Sequence, residues 1–227
     1  MMASAVSALH DYDIHEQPQA FEFLGRVLAD TNVDVNARAL ALGKLQFQIG
    51  DSFDWSRLFA GDDPLAVFAA QNESFWTSLL ARPEDEQITL FEAGLSSPHE
   101  EVRQKSASLL PLNHAATLKL FRRALDDKSA VVRKSAIVRL GAATRADLGP
   151  LYVELLTHTD RKLRAAAVER LPKFASVECI EPLTKMLDDP DVDVRESALG
   201  ALRKVKSALE ERKEWQDLAG KLKQGKT

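Results

Sequence analysis

Apolar residues recur along this chain in columns rather than in isolated stripes. With Arg195 as position zero, arginine returns at Arg164, Arg133, Arg103 and Arg38, at intervals of 31, 31, 30 and 65 residues. The last interval is two slightly long periods, so the copy between them has lost its arginine. Position −1 holds Val194, Leu163, Val132, Val102 and Ala37, and position +3 holds Ala198, Ala167, Ala136, Ser106 and Ala41. Position +7 holds Leu202, Leu171, Leu140, Leu110 and Leu45. In the last four copies Leu187, Leu156, Leu125 and Leu95 stand at −8, and Leu183, Tyr152, Phe121 and Phe91 at −12. Steps of four residues from −1 to +7 put those columns on one face of a helix. The −12 and −8 columns make a second apolar stripe upstream. Between the stripes, residues 188–191, 157–160, 126–129 and 96–99 are rich in Asp, Ser, Thr and Pro, which form turns and cap helices. Each copy therefore reads as helix, tight turn, helix. One such hairpin cannot bury its apolar face alone, and stacking its neighbours makes a continuous core.

The degenerate copy is placed with Ala69 at position zero, Phe68 before it and Trp76 at +7, with Asn72 breaking the small-residue column. Six repeats follow, at about 19–50, 51–82, 84–113, 114–145, 146–175 and 176–207. Pro111 and Pro172 are predicted to end the second helices of repeats 3 and 5. Residues 1–18 read as a tail or the trailing half of an earlier hairpin. Residues 208–227 read as a capping helix, with Leu209, Trp215, Leu218 and Leu222 on its apolar edge, followed by a tail.

This pattern resembles the HEAT-repeat family, in particular the short HEAT-like form of phycobilin lyase subunits. The resemblance covers residues 19–207 and is strongest at Asp188–Leu202 and Asp126–Leu140. It implies an all-α fold, a right-handed α-solenoid of about six stacked hairpins. It also implies a ladder between repeats, made by a turn aspartate and an arginine six residues later. Asp189 with Arg195 and Asp127 with Arg133 have that spacing, whereas His158, Ser97 and Asn32 take the aspartate position elsewhere.

Composition adds little to the fold but something to its surface. The chain has 227 residues, 45% of them hydrophobic, which suffices for a large core. Residues 1–100 carry five Lys and Arg against sixteen Asp and Glu, a balance of −11. Residues 101–227 carry twenty-five against eighteen, a balance of +7. A stack lays sequence out along its length, so an acidic end and a basic end are expected. Cys179 is the one cysteine, which rules out an intramolecular disulfide and suits a reducing compartment. Met1–His10 lacks the basic and apolar regions of a signal peptide, and no stretch is long enough to span a membrane. A cytoplasmic location is the expectation.

Candidate chemistry is sparse. His15-Glu16 and His99-Glu100 resemble the pairs with which HEAT-like deoxyhypusine hydroxylases hold iron. One pair lies outside the regular repeats and the other in a turn, so no converging metal site and no cofactor is expected. Phosphate-binding and zinc-protease motifs are absent. Eight aromatic residues between Phe47 and Phe91 either fill an irregular junction or present Trp55 or Trp76 as a partner anchor. In HEAT-like stacks the second helices line the concave face. Their exposed columns hold Lys105, Lys134, Arg139, Glu169, Arg170, Lys173, Glu196 and Lys204, a partner-binding stripe with Arg139 and Arg170 at equivalent +6 positions. The expected function is a non-enzymatic scaffold or adaptor that binds a protein through this face. The alternatives are an enzyme accessory of the lyase-like kind, which needs a pocket with convergent polar groups, and nucleic-acid binding by the basic half.

Overall fold

The computed structural model describes residues 2–9, 18–45, 53–112, 116–142, 148–174 and 176–223, and these contain helices and turns but no strand. They form two compact bodies, Met1–Arg139 and Leu140–Thr227. A first helix, α1 (Met2–Ala8), precedes the hairpin α2 (Pro18–Ala29) and α3 (Val35–Lys44) of repeat 1. Repeat 2 is α4 (Trp55–Ala60), α5 (Leu65–Gln71) and α6 (Glu73–Leu80). Repeat 3 is α7 (Glu84–Leu95) and α8 (Glu100–Leu109), and repeat 4 is α9 (Thr117–Leu125) and α10 (Ala130–Gly141). Repeat 5 is α11 (Gly149–Leu155) and α12 (Arg161–Arg170), and repeat 6 is α13 (Ile180–Lys185) and α14 (Val192–Lys223). The fold class is all-α, of the solenoid type.

Local chemistry explains most boundaries. Asp34 caps α3 by accepting the Asn36 and Ala37 N–H groups, and Asp160 caps α12 by accepting that of Lys162. Pro111 follows the end of α8, and Pro172 turns the end of α12 into the 3-10 segment Leu171–Lys173. Asn72 does more than weaken a column. Its extended backbone ends α5, and its side chain accepts the Ser74 and Phe75 N–H groups to start α6. Ala69 and Trp76, placed in one second helix by the column reading, therefore sit on two. Residues 208–223, expected as a separate closing helix, continue α14 without a break.

The arginine column forms two kinds of bond. Within its own hairpin, each of the last four arginines donates from NH1 to turn carbonyls five and six residues back, whereas Arg38 donates from Nε to the Leu28 carbonyl ten residues back. Arg103 reaches Pro98 and Ser97, Arg133 reaches Lys128 and Asp127, Arg164 reaches Thr159 and His158, and Arg195 reaches Pro190 and Asp189. Between hairpins, Arg38 pairs with Asp63 at 2.6 Å, Arg103 with Asp127 at 2.8 Å and Arg164 with Asp189 at 2.7 Å. The carboxylate thus belongs to the turn of the following repeat, 24 or 25 residues on. The spacing of six seen in sequence marks two residues of one hairpin that take part in different rungs. Asp63, six before Ala69, takes the rung position of repeat 2 even though that repeat lacks the arginine. Carboxylate rungs join repeats 1 to 2, 3 to 4 and 5 to 6.

These rungs shift acidities. Burial alone would raise Asp63, but the Arg38 guanidinium and the Leu65 N–H hold its carboxyl below the ordinary value. Hydrogen bonds from Arg164 hold Asp189 down in the same way, against the opposing effect of burial.

Helix pairs pack closely where the columns carry small residues. A Cβ on Gly94 of α7 would lie 2.1 Å from Ser106 Oγ and 3.1 Å from Ser106 Cβ on α8. Ser106 is fully buried, and among the described residues its hydroxyl has no hydrogen-bond partner. Gly94→Ala is expected to cost about 1–3 kcal/mol through overpacking. Adding Ser106→Ala should recover part of that loss, because the removed oxygen makes no bond. Urea unfolding midpoints of the single and double variants check this. An unchanged midpoint for Gly94→Ala would contradict the close approach.

Candidate functional site

The charged residues singled out on the second helices do not form one stripe. Arg139 and Arg170 are half-buried. Arg139 Nε donates to the Leu110 carbonyl at 2.8 Å, just past the end of α8, and Arg170 NH1 donates to the Gly141 carbonyl at 3.1 Å, at the end of α10. Lys44, at the same +6 position in repeat 1, donates to the Leu9 carbonyl at 2.6 Å beyond α1. A cation at +6 thus satisfies a carbonyl left open at the end of the preceding second helix. Burial also lowers the Arg139 pKa. The shared position of Arg139 and Arg170 reflects this structural role. It follows that α1 occupies the place of a second helix ahead of repeat 1.

Lys105 pairs with Glu73 in the N-terminal body. Lys134 and Glu196 are exposed and line none of the grooves described below. The remaining four candidates converge. Glu169, Arg170, Lys173 and Lys204 line a groove of about 360 Å3 in the C-terminal body, with Pro172, Ser197, Gly200 and Ala201. α12 and its 3-10 extension supply one wall, and α14 supplies the other. The floor is open because Gly200 has no side chain and a Cβ there would meet nothing within 4 Å. Three cations face one carboxylate, and Arg170 is fixed by its bond to Gly141 while Lys173 and Lys204 remain exposed.

Trp55 and Trp76 are not surface anchors: they are 4% and 2% exposed. Trp76 stacks with Phe59 at 5.8 Å and Phe91 at 5.9 Å between ring centroids, and its indole N–H donates to the Ala70 carbonyl at 2.9 Å. Trp55 packs on Phe53 and Phe75. Large rings are needed here because repeat 2 has short, broken helices that leave more volume to fill.

Two further features lie outside the charged columns. Leu40 and Phe68 are exposed and, with Gly43, line a shallow apolar groove of about 580 Å3 in the N-terminal body. Leu40 stands at +2, an outward column, so an apolar residue there was a legible signal. The second feature is a cavity of about 950 Å3 in the C-terminal body, between α11, residues 173–174 and 176–179, and α14. Pro150, Val153 and Phe174 give it apolar walls, Glu154, Glu178, Lys173 and Arg212 bring charge, and Cys179 lies at its edge with Sγ 3.4 Å from Ser176 Oγ. Nothing local in sequence marks it, because its lining comes from three separated segments. Among the described residues no group of three or more His, Cys, Asp or Glu is placed to hold a metal, and no helix is long and apolar enough to cross a membrane. His15 and Glu16 lie outside the described residues.

Comparison with known proteins bears on the repeat alone. Residues 148–214 match the family model of HEAT repeats. No curated protein matches the chain. The crystal structure of an engineered protein from the Northeast Structural Genomics Consortium is similar at 19% identity, covering 82% of this chain and 96% of that one, with a TM-score of 0.37.

Proposed function

We propose, on the premise that this is a HEAT-repeat protein, that it is a scaffold which binds an acidic segment of a partner protein in the groove between α12 and α14. The observation that supports this reading is the convergence of Arg170, Lys173 and Lys204 over the side-chain-free floor at Gly200. An extended segment can lie close to the α14 backbone at Gly200. Its carboxylates then meet two mobile ammonium groups and one anchored guanidinium. The mixed charge, with Glu169 on the rim, selects position and not acidity alone.

The double variant Lys173→Glu, Lys204→Glu tests this. Both side chains are exposed, so stability should change by no more than about 0.5 kcal/mol. Affinity capture with nuclease present should retain a protein partner on the wild type and lose it on the variant, with at least a tenfold weaker purified complex. Identical capture by both forms would remove the groove from consideration. Capture that disappears with nuclease and weakens steeply with salt would move the function to nucleic acid.

The large cavity supports a second reading, an accessory protein that holds an amphipathic small molecule. Its volume and its apolar walls with convergent charges are those of a ligand site. Val153→Trp should fill it and abolish any ligand-induced rise in melting temperature.

A further inference from the structure

Repeat 6 exposes leucines in columns that most of its predecessors keep covered. At position +4, Leu42, Ala107 and Val168 are at most 2% exposed in repeats 1, 3 and 5 and Ile137 of repeat 4 is half-exposed, whereas Leu199 of repeat 6 is 46% exposed. At +7, Leu45, Leu110, Leu140 and Leu171 are buried, but Leu202 is half-exposed. At −8, Leu95, Leu125 and Leu156 are buried, but Leu187 is half-exposed. The columns that face backwards, Val194 and Ala198, are as buried as their counterparts. α14 continues past these columns without a break, and from Lys206 to Lys213 no side chain is buried.

The arginine column indicates what fits there. Arg103 and Arg164 give NH1 to their own turns, and Nε and NH2 to the aspartate of the next repeat. Arg195 gives NH1 to Asp189 and Pro190 in the same way, but among the described residues its Nε and NH2 meet no acceptor. The face therefore carries half of a rung beside open apolar columns. We propose that this trailing face docks a helical hairpin of a partner protein that carries a carboxylate in its turn. The leucines meet the hairpin's apolar stripe, and the carboxylate takes the two remaining Arg195 donors.

At the rung position itself, a second copy of this chain offers no unengaged aspartate among the described residues. The turn aspartates Asp63, Asp127 and Asp189 are each engaged by an arginine, and repeat 1 has Asn32 at the equivalent position. The surface is also separate from the groove, whose lining does not include Arg195 or Leu199.

The test places a photo-crosslinking amino acid at Leu199 of the full chain, with Glu210, exposed further along α14, as the control position. The expected product joins Leu199 to a protein with a helical hairpin. With that protein purified, Arg195→Gln should weaken binding at least tenfold while leaving the circular dichroism spectrum unchanged. Arg195→Glu should be rescued by arginine at the partner's turn carboxylate. Lys173→Glu, Lys204→Glu should leave this binding intact, which separates the face from the groove. The proposal is overturned by a Leu199 product that is a dimer of this chain, by no product above the Glu210 control, or by an unchanged affinity in Arg195→Gln.

Discussion

Replacing Arg164 by Ala is expected to destabilise the protein by about 3–5 kcal/mol, the cost of leaving a buried charge unpaired. Asp189 is nearly inaccessible, accepts from Arg164 Nε at 2.7 Å and NH2 at 2.9 Å, and also accepts the Asp191 N–H. Without Arg164 it keeps the backbone bond but loses its counter-ion. Arg195→Ala is the matched control. It removes the same side chain and the same bonds to turn carbonyls, but no carboxylate rung, and should cost about 1 kcal/mol. Urea denaturation of the two variants measures the difference. Equal losses would show that the rung contributes nothing beyond the turn bonds. Because Asp189 has a lowered pKa in the folded state, its contribution is fully present above the ordinary carboxyl value of about 4. It fades as the pH falls through the lower folded value. Asp189→Asn should therefore remove part of the decline in stability below pH 4.

Trp76→Ala should cost about 3–5 kcal/mol, as expected for a large buried ring whose cavity cannot fully close. Phe59, Phe75 and Phe91 all lose a ring partner, and the Ala70 carbonyl loses its donor. Phe68→Ala, at an exposed ring nearby in sequence, should cost less than about 1 kcal/mol. Thermal unfolding of the pair distinguishes a core role from a surface one. A Trp76 variant as stable as the Phe68 variant would contradict the packed cluster.

The repeat was legible because its constraint is periodic. Each hairpin must bury one stripe against each neighbour, so the same columns return, and Leu45, Leu110, Leu140 and Leu171 are buried as their shared position predicts. The aromatic region was legible as exceptional but not as core or surface, since a ring suits both. Charge was the least legible. Lys105, Arg139, Arg170 and Lys204 look equivalent in outward columns, yet one pairs with Glu73, two bond to backbone carbonyls and one lines a groove.

Sequence by itself determined the all-α class, the hairpin unit, its period of about 31 residues and most of the buried columns. These follow from local periodicity and from the need of every hairpin for neighbours. Tertiary structure alone decided which aspartate meets which arginine, because a rung joins groups 24 or 25 residues apart across a packed seam. It also decided that Asn72 splits a helix, that three cations converge over Gly200, and that the last hairpin keeps its trailing leucines open. A long side chain can reach solvent, a carbonyl or a carboxylate from the same helical position, and only the packed neighbours determine which one it meets.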